Sequence, residues 1–177
     1  MAPRRSSRVS PDDSPRPARL ERLAGPRSLL RLRSDSPERT LEIGRVLGSL
    51  LPAGTALSLE GGLGAGKTLL MKGISAGLGV PDEVTSPSFV LAEEYRGEFP
   101  VLHFDLYRLA RVDDAAGIGL FDAVDGRAVV IVEWGDRLPP GAMRFDAVAS
   151  LRIAGPESRD IVVAGPKELC DELERNL

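Results

Sequence analysis

Apolar residues fall along this chain in short blocks, and the spacing within each block assigns it an element. Leu29, Leu30 and Leu32 fit a short strand. Ser36-Pro37-Glu38 then reads as a helix start: a hydroxyl cap, a proline at the first helical position and an acid in the first turn. Leu41, Val46, Leu47, Leu50 and Leu51 supply the buried side of that helix, and Pro52-Ala53-Gly54 ends it. Residues 55–60 predict a strand, Gly61 to Gly66 a glycine-rich turn, and 67–78 a second helix. Residues 84–94 read as extended, interrupted by Pro87, and 101–106 as a strand. The 112–121 stretch has helical spacing weakened by Gly117 and Gly119. Residues 128–133 form a continuous apolar run of the kind buried on both faces of a sheet. Residues 146–153 and 159–163 predict two strands joined by a Gly155-Pro156-Glu157-Ser158 hairpin. A terminal helix over 167–177 follows.

Strands alternating with helices and then a hairpin imply an α/β fold. The expected sheet is mixed, with a parallel centre and antiparallel edge strands, flanked by helices. At 177 residues, 42% hydrophobic and 28% charged, the chain has material for about one domain. Aromatics are only 5%, so the core is mostly aliphatic. No run of about 18 apolar residues predicts a membrane span. One cysteine, Cys170, excludes an intramolecular disulfide and a cysteine zinc cluster; a single histidine, His103, excludes a His-rich metal site.

Charge divides the chain. Residues 1–27 hold seven Arg against three acids, a net +4, which leaves −7 of the overall −3 for residues 28–177. The first segment is rich in Pro and Ser and lacks periodic apolar residues. It is expected to be a disordered basic tail, with residues 28–177 as the domain. Asp12, Asp13 and the prolines argue against an organelle transit peptide. A domain at −7 is a poor stand-alone nucleic-acid binder.

The chemistry begins at Gly61-Gly62-Leu63-Gly64-Ala65-Gly66-Lys67-Thr68, which fits G-x-x-x-x-G-K-[ST] between a strand and a helix. Glycines let the backbone wrap and aim N–H groups at phosphate oxygens, and the helix N-terminus adds partial positive charge. Lys67 is placed to reach the β- and γ-phosphates, and the Thr68 hydroxyl to ligate Mg2+. A later strand should supply an acid for the metal. Two runs compete, one ending at Glu133 and one at Asp105. Both carboxylates stand at a strand C-terminus, where ligands bind in such sheets. The base is constrained by absence: the sequence has no Gln, and its only Asn is Asn176. An Asn-Lys-x-Asp guanine reader and a water-positioning Gln of the Ras type are therefore excluded, which favours ATP.

Four strings now stand in order: Gly64-Ala-Gly-Lys-Thr68, Thr85-Ser86-Pro87-Ser88-Phe89-Val90-Leu91, His103-Phe104-Asp105-Leu106-Tyr107-Arg108-Leu109 and Val132-Glu133-Trp134-Gly135. Together they resemble the bacterial TsaE (YjeE) family of ATPases, over roughly Ser28 to the C-terminus. The resemblance implies a small P-loop NTPase of the cytoplasm. It would bind and hydrolyse ATP with Mg2+ while associated with a TsaB–TsaD heterodimer that forms threonylcarbamoyladenosine at position 37 of tRNAs. Contact with tRNA would be indirect, through that complex.

Carried over by position, the loop residues Gly62, Leu63, Gly64, Ala65, Gly66 and Lys67 hold phosphate, and Thr68 and Glu133 are the Mg2+ ligands. Asp105 matches the family's essential aspartate, near the γ-phosphate or the attacking water. Thr85 and Ser86 resemble a γ-phosphate-sensing segment, and Ser36 and Pro37 lie where the family's N-terminal segment approaches the nucleotide. Lys67, Asp105 and Glu133 are thus the catalytic candidates. This chain has Gly62 where the family usually has Asp, and Leu69 where a second Thr is common. The competing assignment is a small-molecule P-loop kinase. Such an enzyme needs an arginine-rich lid, and the 86–100 and 106–125 stretches offer only Arg96, Arg108 and Arg111.

Overall fold

The computed structural model describes residues 27–81, 92–107, 115, 117–124 and 126–177. Seven strands form one sheet: β1 (Ser28–Ser34), β2 (Ala56–Gly61), β3 (Ala92–Arg96), β4 (Pro100–Asp105), β5 (Val129–Glu133), β6 (Ala147–Ile153) and β7 (Arg159–Gly165). Their order is β1-β7-β6-β2-β5-β4-β3. β4, β5, β2 and β6 are mutually parallel; β3 adds an antiparallel edge on one side, and β7 with β1 an antiparallel edge on the other. The centre is parallel because β2 and β5 are reached from the preceding strand by crossovers, and the edges are antiparallel because tight hairpins join β3 to β4 and β6 to β7.

Helices α1 (Pro37–Ser49), α2 (Lys67–Gly77) and α3 (Lys167–Arg175) contribute to a single core on one face of the sheet. That core is aliphatic, as the composition requires, and includes Ile43, Leu47, Leu57, Leu59, Leu70, Ile74, Ile131 and Leu173. The opposite face is covered by Leu120, Leu138 and Phe145, among others. Among the described residues, no helix is long and apolar enough to cross a membrane.

The α1 start expected from sequence is present, but Leu41 is exposed; the buried side is formed by Thr40, Ile43, Gly44, Val46, Leu47 and Gly48, because the seam against α2 runs along the glycines. Pro37 opens the helix, and the Ser36 hydroxyl accepts the Arg39 N–H at 3.2 Å. The packing of α1 on α2 is less ordinary, because glycines meet glycines. A Cβ on Gly48 would lie 2.1 Å from the Ile74 carbonyl oxygen, and one on Gly77 2.1 Å from that of Arg45. Gly44 and Gly73 are similarly closed, against Leu70 and Leu41 carbonyls at 2.5 and 2.3 Å. The two backbones therefore touch without an intervening side-chain layer. Contacts advance in step, from Leu41 with Gly73 to Arg45 with Gly77, so the helices run parallel. Ser36 and Lys67 consequently start their helices at the same end of the layer.

Of the helix expected over 112–121, residues 112–114 and 116 lie outside the described residues. Ala115 and Gly117 are helical, but residues 118–123 are turns, and Gly119 takes φ of +75°. Cys170 is buried against the sheet, and burial, reinforced by Asp171, pushes its thiol pKa up, as an inert core residue requires.

Candidate functional site

The glycine-rich turn leaves the C-terminal end of β2, fourth in the order of the seven strands, and enters α2 directly. Gly64 and Gly66 have φ of +73° and +102°, values a residue with a Cβ reaches only under strain. The N–H of Ala65 turns back to the Gly62 carbonyl at 3.2 Å, closing the loop on itself. Gly66 caps α2 without any side-chain bond, so the first amides of α2 face the loop without a side-chain acceptor of that kind. Gly62 has nothing within 4 Å of a built Cβ and no positive φ, so its difference from the family's Asp leaves the loop backbone unaffected.

Lys67 is 5% exposed and folds over the loop's start, donating from Nζ to the Gly61 and Gly62 carbonyls at 2.9 and 3.0 Å. Burial draws its pKa below the ordinary lysine value, opposed by the negative charges of Glu133, Asp136 and Asp105. Thr68 follows it in the first turn of α2, half-buried.

Both candidate acids arrive at this end of the sheet. The register pairs Leu59 of β2 with Glu133 of β5, and Glu133 with Asp105 of β4. Paired residues of a parallel ladder share a face and lie about 4.8 Å apart between strands. Glu133 is 2% exposed and Asp105 half-buried, with its Oδ1 accepting the Tyr107 N–H at 2.9 Å. His103, two residues before Asp105, is fully buried on the same face, its Nε2 3.2 Å from Glu133 Oε1. The pair is close but misaligned for a hydrogen bond, which leaves Glu133 Oε1 buried without one.

Trp134 continues directly from Glu133 with φ of +60°, the only described residue other than glycine in that region. Such backbone strain concentrates at functional sites. The turn is held by the Trp134 N–H on the Leu59 carbonyl at 2.9 Å, and by Gly135, whose Cβ would strike Ser58 Oγ at 2.2 Å. It brings the indole under Lys67, with Nζ 3.5 Å from the ring centroid. Tyr107 packs on the indole at 5.1 Å, and Arg137 lies 5.5 Å from the Tyr107 ring while its Nη1 donates to the Leu106 carbonyl at 3.1 Å. Trp134 is half-buried, packed against the core while its ring lies beside Lys67.

The sequence candidates Gly62, Leu63, Gly64, Ala65, Gly66, Lys67, Thr68, Asp105 and Glu133 thus gather at one end of the parallel strands. Ser36 and Pro37 stand at the same end of the helix layer, one helix removed, with the Ser36 hydroxyl engaged as a cap. Thr85, Ser86 and Arg108 lie outside the described residues. Sequence reasoning passed over Arg137, Asp136 and Arg159. It also passed over Glu60, fully buried at the end of β2 with Ser58 and Ser150 hydroxyls 3.4 and 3.5 Å from its carboxylate. Its signal was available: an acid in phase with Ala56 and Ser58 on the other face of β2.

A glycine-rich turn entering a helix, a desolvated lysine and two strand-end carboxylates thus meet at one end of the sheet. The family model for the threonylcarbamoyl adenosine biosynthesis protein TsaE matches residues 34–161. The chain is 39% identical over 135 residues to the tRNA threonylcarbamoyladenosine biosynthesis protein TsaE of Treponema pallidum, covering 76% of this chain and all (100%) of the relative. It is 34% identical over 152 residues to the Bacillus subtilis protein of the same name, covering 83% of this chain and 95% of the relative. The crystal structure of Bacillus subtilis YdiB superposes with a TM-score of 0.66 at 32% identity, over 86% of this chain and 98% of that one. The fold is that of a P-loop NTPase. With its phosphate loop, strand-end acids and Val-Glu-Trp-Gly turn assembled at one end of this sheet, the chain belongs to the TsaE family.

Proposed function

We propose that this chain binds ATP with Mg2+ and hydrolyses it as the TsaE component of tRNA threonylcarbamoyladenosine biosynthesis, acting with a TsaB–TsaD heterodimer. The observation that carries the reading is the convergence of the phosphate loop, Lys67, Asp105 and Glu133 at the C-terminal ends of β2, β4 and β5 in a chain of this family. ATP is preferred because the Ras-type guanine reader and its Gln have no counterpart in the sequence.

The donor set suits Mg2+. Thr68 offers a hydroxyl and Glu133 a carboxylate, both hard oxygen ligands, and Glu133 Oε1 is a buried oxygen without a hydrogen bond. Among the described residues no cluster of three or more metal-ligating side chains exists. Mg2+ needs none, since it is commonly held by one or two protein oxygens together with phosphate. When bound, the ion would neutralise charge on the phosphates. Lys67 binds and polarises the same group, and the loop amides orient it. Asp105, whose carboxylate accepts the Tyr107 N–H, would orient the attacking water. Trp134 and Tyr107 exclude solvent beside Lys67. A domain of net charge −7 would reach tRNA through its partners.

The test is ATP hydrolysis by the purified chain, alone and with the TsaB–TsaD pair and tRNA. Weak activity alone and clear stimulation by the pair are expected; a pair that neither binds nor stimulates would remove the tRNA-modification reading. Within the same assay, Glu133→Ala is expected to lower Mg2+-dependent turnover by roughly 10²-fold while changing ATP affinity much less. Unchanged turnover would remove Glu133 from the metal site.

A further inference from the structure

We infer that Arg159 is a positioning residue for phosphate binding, which clasps the outer side of the phosphate loop and ties it to the β6–β7 hairpin. The inference rests on the nucleotide reading above and adds a residue that reading does not use.

Arg159 is the first residue of β7, in phase with Ile161 and Val163, which are fully buried on the helix-bearing face. Its side chain therefore projects toward that face. β7 runs antiparallel to β6, and β6 parallel to β2, so β7 starts at the end of the sheet where the phosphate loop begins. There the guanidinium meets four carbonyls from two loops. Nε donates to Ala65 at 2.9 Å, and Nη2 reaches Gly64 at 3.4 Å. Nη1 donates to Ser158 at 2.8 Å and to Gly155 at 3.2 Å. Gly66 also sits against its stem: a Cβ there would be 3.6 Å from Nε and 4.0 Å from Cγ.

The geometry matters because a peptide's C=O and the N–H that follows it point in opposite directions. Holding the Gly64 and Ala65 carbonyls outward turns the Ala65 and Gly66 amides toward the loop's concave side. The Ala65 N–H already points inward, to Gly62. A loop with this many glycines has much conformational freedom to lose on binding an anion. Fixing its carbonyls in advance reduces that loss, which is preorganisation. The role needs a rigid fork: the ammonium of lysine is a point donor and cannot bridge two loops at once.

The test compares Arg159→Ala, Arg159→Lys and, as control, Arg33→Ala, which breaks the exposed Arg33–Asp160 pair on the neighbouring strand position. Amide hydrogen exchange of residues 61–68 is read without nucleotide, ATP affinity by calorimetry, and turnover at saturating ATP. Arg159→Ala is expected to speed exchange in the loop and to weaken ATP binding, each by about tenfold, with saturated turnover within about threefold. Arg159→Lys, which keeps charge and stem, is expected to restore only part of either, and Arg33→Ala to change neither. ATP binding and loop exchange within twofold of the unsubstituted chain in both Arg159 variants would overturn the inference. Failure of the unsubstituted chain to bind ATP would instead overturn the nucleotide reading, and the phosphate role with it. If Arg159→Ala does not fold, the lysine variant carries the comparison, because it retains the packing of the stem.

Discussion

Lys67→Ala is expected to lower ATP turnover by roughly 10²–10³-fold, the cost of losing one preorganised charge from a developing anion. The size of the effect follows from how the ammonium is held. It is buried, with two of its three N–H groups donated to the Gly61 and Gly62 carbonyls and an indole face 3.5 Å below. That leaves one donor for a phosphate oxygen, in a place where water screens little. Glu133, Asp136 and Asp105 supply the negative charge that offsets the desolvation of the cation. Lys67→Arg is not expected to rescue, because the larger, planar guanidinium does not fit the buried place of a compact ammonium. Turnover by a coupled phosphate-release assay and ATP affinity by calorimetry read the two components. Turnover of Lys67→Ala within threefold of the unsubstituted chain would refute the role. Trp134 is the only tryptophan. Its emission is therefore expected to shift when ATP draws Lys67 Nζ away from the indole, giving a direct signal of binding.

Gly77→Ala should be the most destabilising conservative change in the helix layer. Helix propensity alone gives the opposite sign, since alanine is favoured over glycine by up to about 1 kcal/mol in a helix, and by less at Gly77, the last residue of α2. Here the new methyl would stand 2.1 Å from the Arg45 carbonyl oxygen and 2.8 Å from the Ser49 nitrogen. Both are backbone atoms and cannot rotate away, so the helices must separate. Overpacking of this kind costs about 1–3 kcal/mol, and contact with backbone places it at the upper end. For a domain of this size that is a fall in Tm of roughly 5–10 °C. Gly48→Ala, facing the Ile74 carbonyl at 2.1 Å, should behave alike. Gly62→Ala, with open space around it, should leave Tm within a degree or two. Differential scanning calorimetry decides the matter, and a Tm for Gly77→Ala equal to or above that of the unsubstituted chain would show that the interface yields.

What could be read from sequence was what is local. The phosphate loop occupies one strand, one turn and one helix start, so its residues, spacing and context were all visible together. Asp105 and Glu133 were visible as strand ends. Their adjacency was not, because it depends on β4 pairing with β5, a contact set by the strand order. The helix seam left a trace, glycines four apart at Gly44 and Gly48 and again at Gly73 and Gly77, but only the parallel crossing of α1 on α2 gives that trace meaning. Arg159 shows the opposite case. A charged residue after a hairpin reads as solvated, yet its alternation with Ile161 and Val163 placed it on the buried face. The place of His103 under Glu133 likewise depends on a neighbouring strand.

The parallel seam between α1 and α2 also has an electrostatic consequence. Two helices side by side in the same sense present two positive ends to one end of the sheet, each roughly half an elementary charge. Lateral repulsion between their dipoles is tolerated because the backbones pack directly. At α1 the charge is answered from within, by the Ser36 hydroxyl and by Glu38, whose pKa is lowered by hydrogen bonds from its backbone amide and Ser36. At α3, Glu168 stands in the first turn. α2 has neither an acid in its first turn nor a capping side chain, and begins with a lysine instead. Of α1, α2 and α3, only α2 leaves its positive pole to be neutralised from outside the helix, and an anion bound against Lys67 would do for α2 what Glu38 does for its neighbour.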